Sequence, residues 1–260
     1  MKILVTVKEV SVLDDEFEID GGIDERYVTR ELNEWDEYAI EAAVRIQEAG
    51  SDVEVVTVTV GPEDVEETIR QALAKGPDRA IRVWDDRLAD AGLLDPGTKA
   101  RLLAGVAEAE EPDLVLTGVQ SADESFAATG VALAERLGFE WAAVVNQLAL
   151  DREAGVASVH RELEGGVEEL ADIELPAVLT IQTGINEPRY ASLRGIRSAQ
   201  SKALAVQSLA DIGVDETAIE SPLTQTSLYT PESGGETTLF EGDDAADELA
   251  AVLRERGVGQ

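Results

Sequence analysis

The residues best placed to do chemistry lie between Asp113 and Gly138, in the successive stretches DLVLTG, VQSADESFAATG and VALAERLG. A short apolar run, Leu114 to Leu116, closes on Thr117-Gly118. A polar loop follows, then a helix-period segment with Val131, Ala134 and Leu137 on one side and Gly138 as its stop. Strand, glycine turn and helix N-terminus in that order make an anion site, because the unpaired amides of the first turn and the helix dipole both favour negative charge. In an open parallel sheet, ligands bind in the crevice beyond the strand ends. The predicted ligand is a nucleotide phosphate. The chain has no cysteine and a single histidine, His160. Thiolate chemistry, histidine zinc clusters and a Ser-His pair are excluded. His160, in a predicted hairpin, reads as a solvated or edge histidine.

The elements around this stretch follow from periodicity and punctuation. Lys2 to Val7 reads as a buried strand, and Phe17, Ile19, Gly21-Gly22, Tyr27 and Val28 as a small hairpin or irregular excursion. Asn33 to Gly50 reads as a helix with Asn33 as N-cap and Glu34, Asp36 and Glu37 loading its first turn. Val53 to Val60 is a strand covered on both faces, Glu63 to Lys75 a helix, Ala80 to Trp84 a strand, and Asp95-Pro96 opens a helix to about Glu110. This alternation predicts a doubly wound parallel sheet. Past Gly138, Ala142–Leu150 and Val156–Leu163 predict an antiparallel hairpin, followed by strands near Val167–Leu170 and over Ala177–Ile181. The fold class is α/β, a parallel sheet with an antiparallel β-rich edge. The predicted division is a domain over 1–205 and an acidic arm with a terminal helix over 206–260.

Charge narrows the partners. With 54 acidic against 21 basic residues the formal net charge is −33, although 44% of residues are hydrophobic. An acidic surface on an ordinary core stays soluble when salt screens charge. Of the basic residues 5 are lysine and 16 arginine. The pattern fits a salt-adapted cytoplasmic protein, haloarchaeal-like, ahead of an ordinary acidic one. Nucleic-acid binding is disfavoured, because a field of this sign repels phosphate backbones. The N-terminal apolar run is too short for a signal peptide, and no segment reaches membrane-spanning length, so direct membrane insertion is not expected.

One segment breaks the acidic rule. Residues 186–202, NEPRYASLRGIRSAQSK, carry Arg189, Arg194, Arg197 and Lys202 against Glu187. Pro188 and Gly195 argue loop rather than helix. A mixed basic and apolar loop is either a contact surface or a cover for the chain's own acidic surface, and composition leaves both open. Thr217 to Gly242 reads as extended or mobile. Asp243 to Arg256 regains helical spacing and either docks on a neighbour or packs back.

Taken together, ILVTVK, NEWDEYAIEAAVR, VTVGP with EETIRQALAKGPDRAIRV, PDLVLTGVQSAD with TGVALAERLG, and LPAVLTIQTGINEPRYASL resemble, in order and spacing, the beta subunits of electron transfer flavoproteins, from Met1 to about Ala205. The resemblance implies a three-layer α/β/α domain of the adenine-nucleotide-binding, HUP-like type. It implies pairing with an alpha subunit that holds most contacts to the redox FAD. It also implies electron transfer from acyl-CoA or related dehydrogenases, as in fatty acid oxidation, to a quinone or ferredoxin-linked acceptor. The family's beta subunit has no chemistry of its own. It buries AMP, or in the electron-bifurcating type a second FAD in its place.

Carried over by position, the resemblance implies nucleotide contacts at Thr6, at Asn33, Glu34, Trp35 and Asp36, and at Val60. It implies further contacts along the loop formed by Gly118, Val119, Gln120, Ser121, Ala122, Asp123, Ser125, Phe126, Ala127, Ala128 and Thr129. Gly118 allows close backbone approach, and Asp123 orients the loop or accepts from the ligand. The segment around Leu193 resembles the family's recognition loop, with Arg189, Tyr190, Arg194, Ile196 and Arg197 flanking an apolar anchor. Where the family's loop has Asp and Gln, this chain has Ser125 and Ala128. The alternatives are a stand-alone adenine-nucleotide-binding module and a nucleotide-free structural paralogue.

Overall fold

The computed structural model describes residues 1–14, 17–19, 22–50, 52–230, 238–240, 242 and 244–257. The described chain divides into two compact units, Met1–Ser227 and Leu228–Gln260. In the first unit the strands are β1 (Lys2–Thr6), β2 (Glu9–Leu13), β3 (Val28–Leu32), β4 (Glu54–Val60), β5 (Arg79–Val83), β6 (Leu114–Gly118), β7 (Glu140–Asp151), β8 (Val156–Leu163), β9 (Val167–Glu174), β10 (Ala177–Ile181) and β11 (Leu204–Gln207). Its helices are α1 (Glu34–Ala49), α2 (Glu66–Ala74), α3 (Asp86–Asp90), α4 (Pro96–Glu110), α5 (Thr129–Leu137) and α6 (Leu193–Ala199). In the second unit α7 spans Ala245–Glu255.

One nine-stranded sheet runs in the order β11-β5-β4-β1-β6-β10-β7-β8-β9. It is parallel from β11 through β7, and β8 and β9 add an antiparallel margin. The central strands are apolar on both faces because helices cover both. Alternate residues sort accordingly. Ile3, Val5, Leu114, Leu116 and Leu179 pack with Ala39, Ile40 and Val44 of α1. Leu4, Val56, Val58, Val115 and Val178 pack with Leu102 and Val106 of α4 and Leu133 of α5. This three-layer α/β/α arrangement matches the fold class expected from sequence.

Several local readings change. The excursion after β1 is a two-stranded antiparallel sheet of β2 and β3; residues 15, 16, 20 and 21 lie outside the described set. The buried face of α5 is Gly130, Leu133 and Ala134, whereas Val131 and Leu137 are only partly buried. Gly130 lies so close to β6 and β10 that a Cβ there would sit 2.6 Å from both Thr117 and Thr180. His160 is not a solvated edge residue. β9 pairs outside β8, so the His160 side chain is only 11% exposed and its Nε2 lies 3.2 Å from Glu168.

The basic segment is also corrected, because residues 193–199 form a helix. Ser192 caps α6 by accepting from the Gly195 amide. Gly195 is there for packing, since a Cβ would meet the Ala74 carbonyl oxygen of α2 at 2.4 Å. Beyond Ala205, β11 pairs with β5, and Leu209, Ile212 and Ile219 are buried in the α4–α5 core. Of the stretch read as extended, Glu216–Ile219 is a 3-10 turn, and residues 231–237 and 241 lie outside the described set. In α7, Leu249 and Leu253 are exposed.

Candidate functional site

The chain leaves β1, builds β4 and β5 on one side, and returns to place β6 on the other side of β1. Such a reversal opens a crevice at the carboxyl ends of the strands. Here it is bounded by Thr6 of β1, Val60 of β4, Gly118 of β6 and the N-terminus of α5, and it opens partly to solvent. Val58, Val60, Leu94 and Leu103 give it apolar walls, and Thr6, Asn33, Thr117, Gln120 and Ser121 its polar points. Apolar walls with a few convergent polar groups are the usual make-up of a small-molecule site. Phe126, Ala127, Ala128 and Thr129 lead into α5 along its lip. Ser125 and Ala127 take left-handed backbone angles, φ 53° and 51°, a conformation that is uncommon for residues other than glycine.

The N-terminus of α1 brackets this loop. Asn33 stands at the N-cap position but makes no side-chain cap bond. Its Nδ2 donates to the Gln120 carbonyl at 2.9 Å, and its Oδ1 accepts from the Ala122 amide at 3.2 Å. Asp36, almost fully buried, accepts from the Lys8 amide at 2.8 Å and from the Gly118 amide at 3.1 Å. One carboxyl thus ties the exit of β1 to the exit of β6. Burial pushes this carboxyl up to about 7, against the opposing pull of the Lys8 amide, Asn33, the Gly118 amide and the Lys8 charge. The close approach at Gly118 is made by the chain itself, since a Cβ would sit 2.5 Å from Asp36 Oδ1 and 2.7 Å from Trp35 Cβ.

Of the residues named from sequence, Thr6, Asn33, Asp36, Val60, Gly118, Val119, Gln120, Ser121, Phe126, Ala127, Ala128 and Thr129 line the crevice. Glu34, Trp35, Ala122, Asp123 and Ser125 stand outside that lining. Trp35 donates instead to Gln182 at 3.2 Å, and the Ser125 hydroxyl to the Ser121 carbonyl at 3.0 Å. Asp123 binds the Lys8 ammonium at 2.6 Å.

Sequence reasoning missed the charged lining. Lys8, Lys99 and Glu124 all face the crevice. Both ammoniums converge on the same oxygen, Glu124 Oε2, Lys8 at 3.1 Å and Lys99 in direct contact. Lys99 also lies over the Phe126 ring, 5.6 Å from its centroid. Two of only five lysines in the chain therefore stand at one mouth. Among the described residues no acidic or histidine cluster could hold a metal ion, and no helix is long and apolar enough to cross a membrane.

The model of the electron transfer flavoprotein domain matches residues 20–212. The chain is 45% identical over 264 residues to the electron transfer flavoprotein subunit beta of Methylophilus methylotrophus, with 98% of each chain covered. It is 36% identical over 261 residues to the subunit beta of Bradyrhizobium diazoefficiens, covering 99% of this chain and 100% of that one. With the human subunit beta it shares 38% identity over 230 residues, 88% of this chain and 86% of that one. The chain belongs to the electron transfer flavoprotein family. Its relatives are beta subunits, and electron transfer is the function class that membership carries.

In this family member, the segment read as a docking loop divides into two groups. Arg189 is turned inward: it binds the buried Glu41 through Nε at 2.6 Å and Glu48 through Nη1 at 2.6 Å. Lys75, paired with Glu37 at 2.9 Å, donates to the Arg189 carbonyl at 2.9 Å, and Lys202 donates to the carbonyls of Leu73, Gly76 and Pro77. These cations fasten the segment to α1 and α2. The other group faces outward: Tyr190 is 97% exposed, Leu193 78% and Ile196 45%, with Arg194 and Arg197 exposed beside them. Composition left open whether the segment covers its own acidic surface or presents itself; its residues divide between the two.

Proposed function

We propose that this chain is the beta subunit of an electron transfer flavoprotein heterodimer. In this reading it scaffolds an alpha subunit that holds most of the FAD, and it carries an adenine nucleotide of its own. The observation that supports the nucleotide most is the crevice at the β1/β6 reversal. Its donor set fits the ligand: helix N-terminal amides and two lysines for a phosphate, and aliphatic walls for a base. AMP is the first choice of nucleotide, with a second FAD in its place as the other. The polar side chains missing at Ser125 and Ala128 leave the phosphate to backbone amides, the Thr129 hydroxyl and the lysines. FAD, when bound by the partner, supplies the redox chemistry. This chain's residues position and contact, and none acts as a catalytic group.

The exposed Leu193, with Tyr190, Ile196, Arg194 and Arg197 around it, is the proposed contact for acyl-CoA or related dehydrogenases. Arg189 serves it from beneath by holding the segment on α1. A quinone or ferredoxin-linked acceptor completes the electron path, in a cytoplasmic setting. The test is to purify the tagged full-length chain from native cells and read its flavin absorbance and subunit composition. The heterodimer reading expects a stoichiometric second chain with one tightly held flavin. Recovery as a flavin-free single chain would overturn it.

A further inference from the structure

The crevice already contains an anion of its own. Glu124 belongs to the loop between β6 and α5, and its single oxygen Oε2 is shared by the Lys8 and Lys99 ammoniums. Both cations and the carboxylate line the crevice. Their side chains are mostly sheltered, 31%, 18% and 23% exposed respectively, so the contacts are less screened than surface ion pairs. Asp123, the neighbouring acid, binds Lys8 but not Lys99, accepts from the Glu124 amide at 2.7 Å, and lies outside the lining. Lys99 is additionally steadied by the Phe126 ring. The loop carrying Glu124 runs into two left-handed residues, Ser125 and Ala127. It is fastened at its start by Asn33, which binds the Gln120 carbonyl and the Ala122 amide, and the Glu124 backbone is held by its amide donating to Asp123 Oδ1 at 2.7 Å, which leaves the Glu124 carboxylate to the two lysines.

Resting on the nucleotide reading above, we propose that Glu124 is a built-in competitor for the ligand's phosphate. It neutralises the Lys8–Lys99 pair while the crevice holds no phosphate, and a nucleotide's terminal phosphate displaces it. The physical case is one of charge. A carboxylate offers the two lysines one negative charge, whereas a phosphate monoester offers close to two, with three acceptor oxygens. Exchange therefore favours the phosphate, but by less than if the lysines stood bare. Without Glu124, Lys8 would keep Asp123 at 2.6 Å, but Lys99 would stand uncompensated at an open mouth and take up any small anion. An internal acid raises the threshold so that only a ligand bringing phosphate and base together holds the site. Glu124 thus sets selectivity without touching the base.

The test compares AMP, adenosine and inorganic phosphate by calorimetry on the nucleotide-stripped full protein, wild type against Glu124→Gln, at one fixed salt concentration. Removing the competing charge should tighten AMP on the order of tenfold, bring inorganic phosphate into measurable range, and leave adenosine unchanged. Lys99→Met should weaken AMP and spare adenosine, and Glu153→Gln, which alters net charge equally at an exposed position in the β7–β8 turn, should move none of the three. Equal AMP affinity in wild type and Glu124→Gln, or an equal gain in Glu153→Gln, overturns the competitor role while leaving the nucleotide reading intact. Failure of the wild type and Glu124→Gln to bind either AMP or adenosine overturns the nucleotide reading and this inference with it.

Discussion

Asp36 joins the two strand exits that frame the crevice, and its replacement by asparagine has a calculable signature. The folded carboxyl titrates at about 7 against 3.8 for the unreacted group. The native state therefore keeps a proton that the unfolded chain releases. Because the folded value is raised, the stability it contributes is full below the unfolded value and is lost as pH rises through the folded one. Between about pH 5 and about pH 8 the wild type should lose roughly 2–3 kcal/mol through this group alone. Asparagine has no such titration. It also accepts only one of the two amides, from Lys8 and Gly118, and its amide nitrogen faces the other donor, a further cost of about 1–3 kcal/mol. The penalty for Asp36→Asn should thus be largest near pH 5 and shrink by the titration amount near pH 8. Urea unfolding of the full-length chain across that range, at constant salt so that the acidic surface is equally screened, reads the difference directly. A penalty that stays constant with pH would refute the assignment of a buried, largely protonated acid below neutrality.

Three other outcomes follow from the same geometry. Gly118→Ala drives a methyl to 2.5 Å from Asp36 Oδ1, so it should cost about 1–3 kcal/mol in thermal or urea melts and weaken nucleotide retention. Arg189→Ala leaves the buried Glu41 with Arg45 and the backbone amide of residue 189 and should destabilise by about 1–3 kcal/mol. Burial raises Glu41, but hydrogen bonds from Arg189 and Arg45 outweigh it and hold the carboxyl below its ordinary 4.5. The wild-type stabilisation is therefore present above that value and lost as acid takes pH through the lowered one, and the variant should show less of this acid sensitivity. Leu193→Ala, at a position 78% exposed, should change stability by less than about 0.5 kcal/mol yet slow electron uptake from a partner dehydrogenase in stopped-flow reduction. Equal rates would remove it from the docking surface.

The central fold was legible because its signals are local. Apolar runs of strand length such as Leu114–Leu116, a stop such as Gly138 and the cap at Asp95, whose carboxylate accepts from the Gly97 and Thr98 amides, each act within a few residues. The crevice was legible in outline for the same reason, since strand ends and a helix start locate it. What escaped depends on distance in space. Gly195 reads as a breaker until α2 is seen against it. Lys8 and Lys99 are unremarkable until Glu124 brings them together, although their scarcity in an arginine-dominated chain was a usable hint. Asp36 lines the crevice as the resemblance implies, but its bonds to the Lys8 and Gly118 amides join positions far apart in sequence and are visible only in space. His160 was read as an edge residue because the outer position of β9 cannot be inferred from β8 alone.

The most direct measurement is to denature the complex purified from native cells and identify by mass spectrometry what the crevice releases. The account predicts one adenine nucleotide per chain in addition to the partner's FAD, AMP as the first choice or a second FAD in its place. A complex that carries the single FAD and releases no further adenine nucleotide would contradict it.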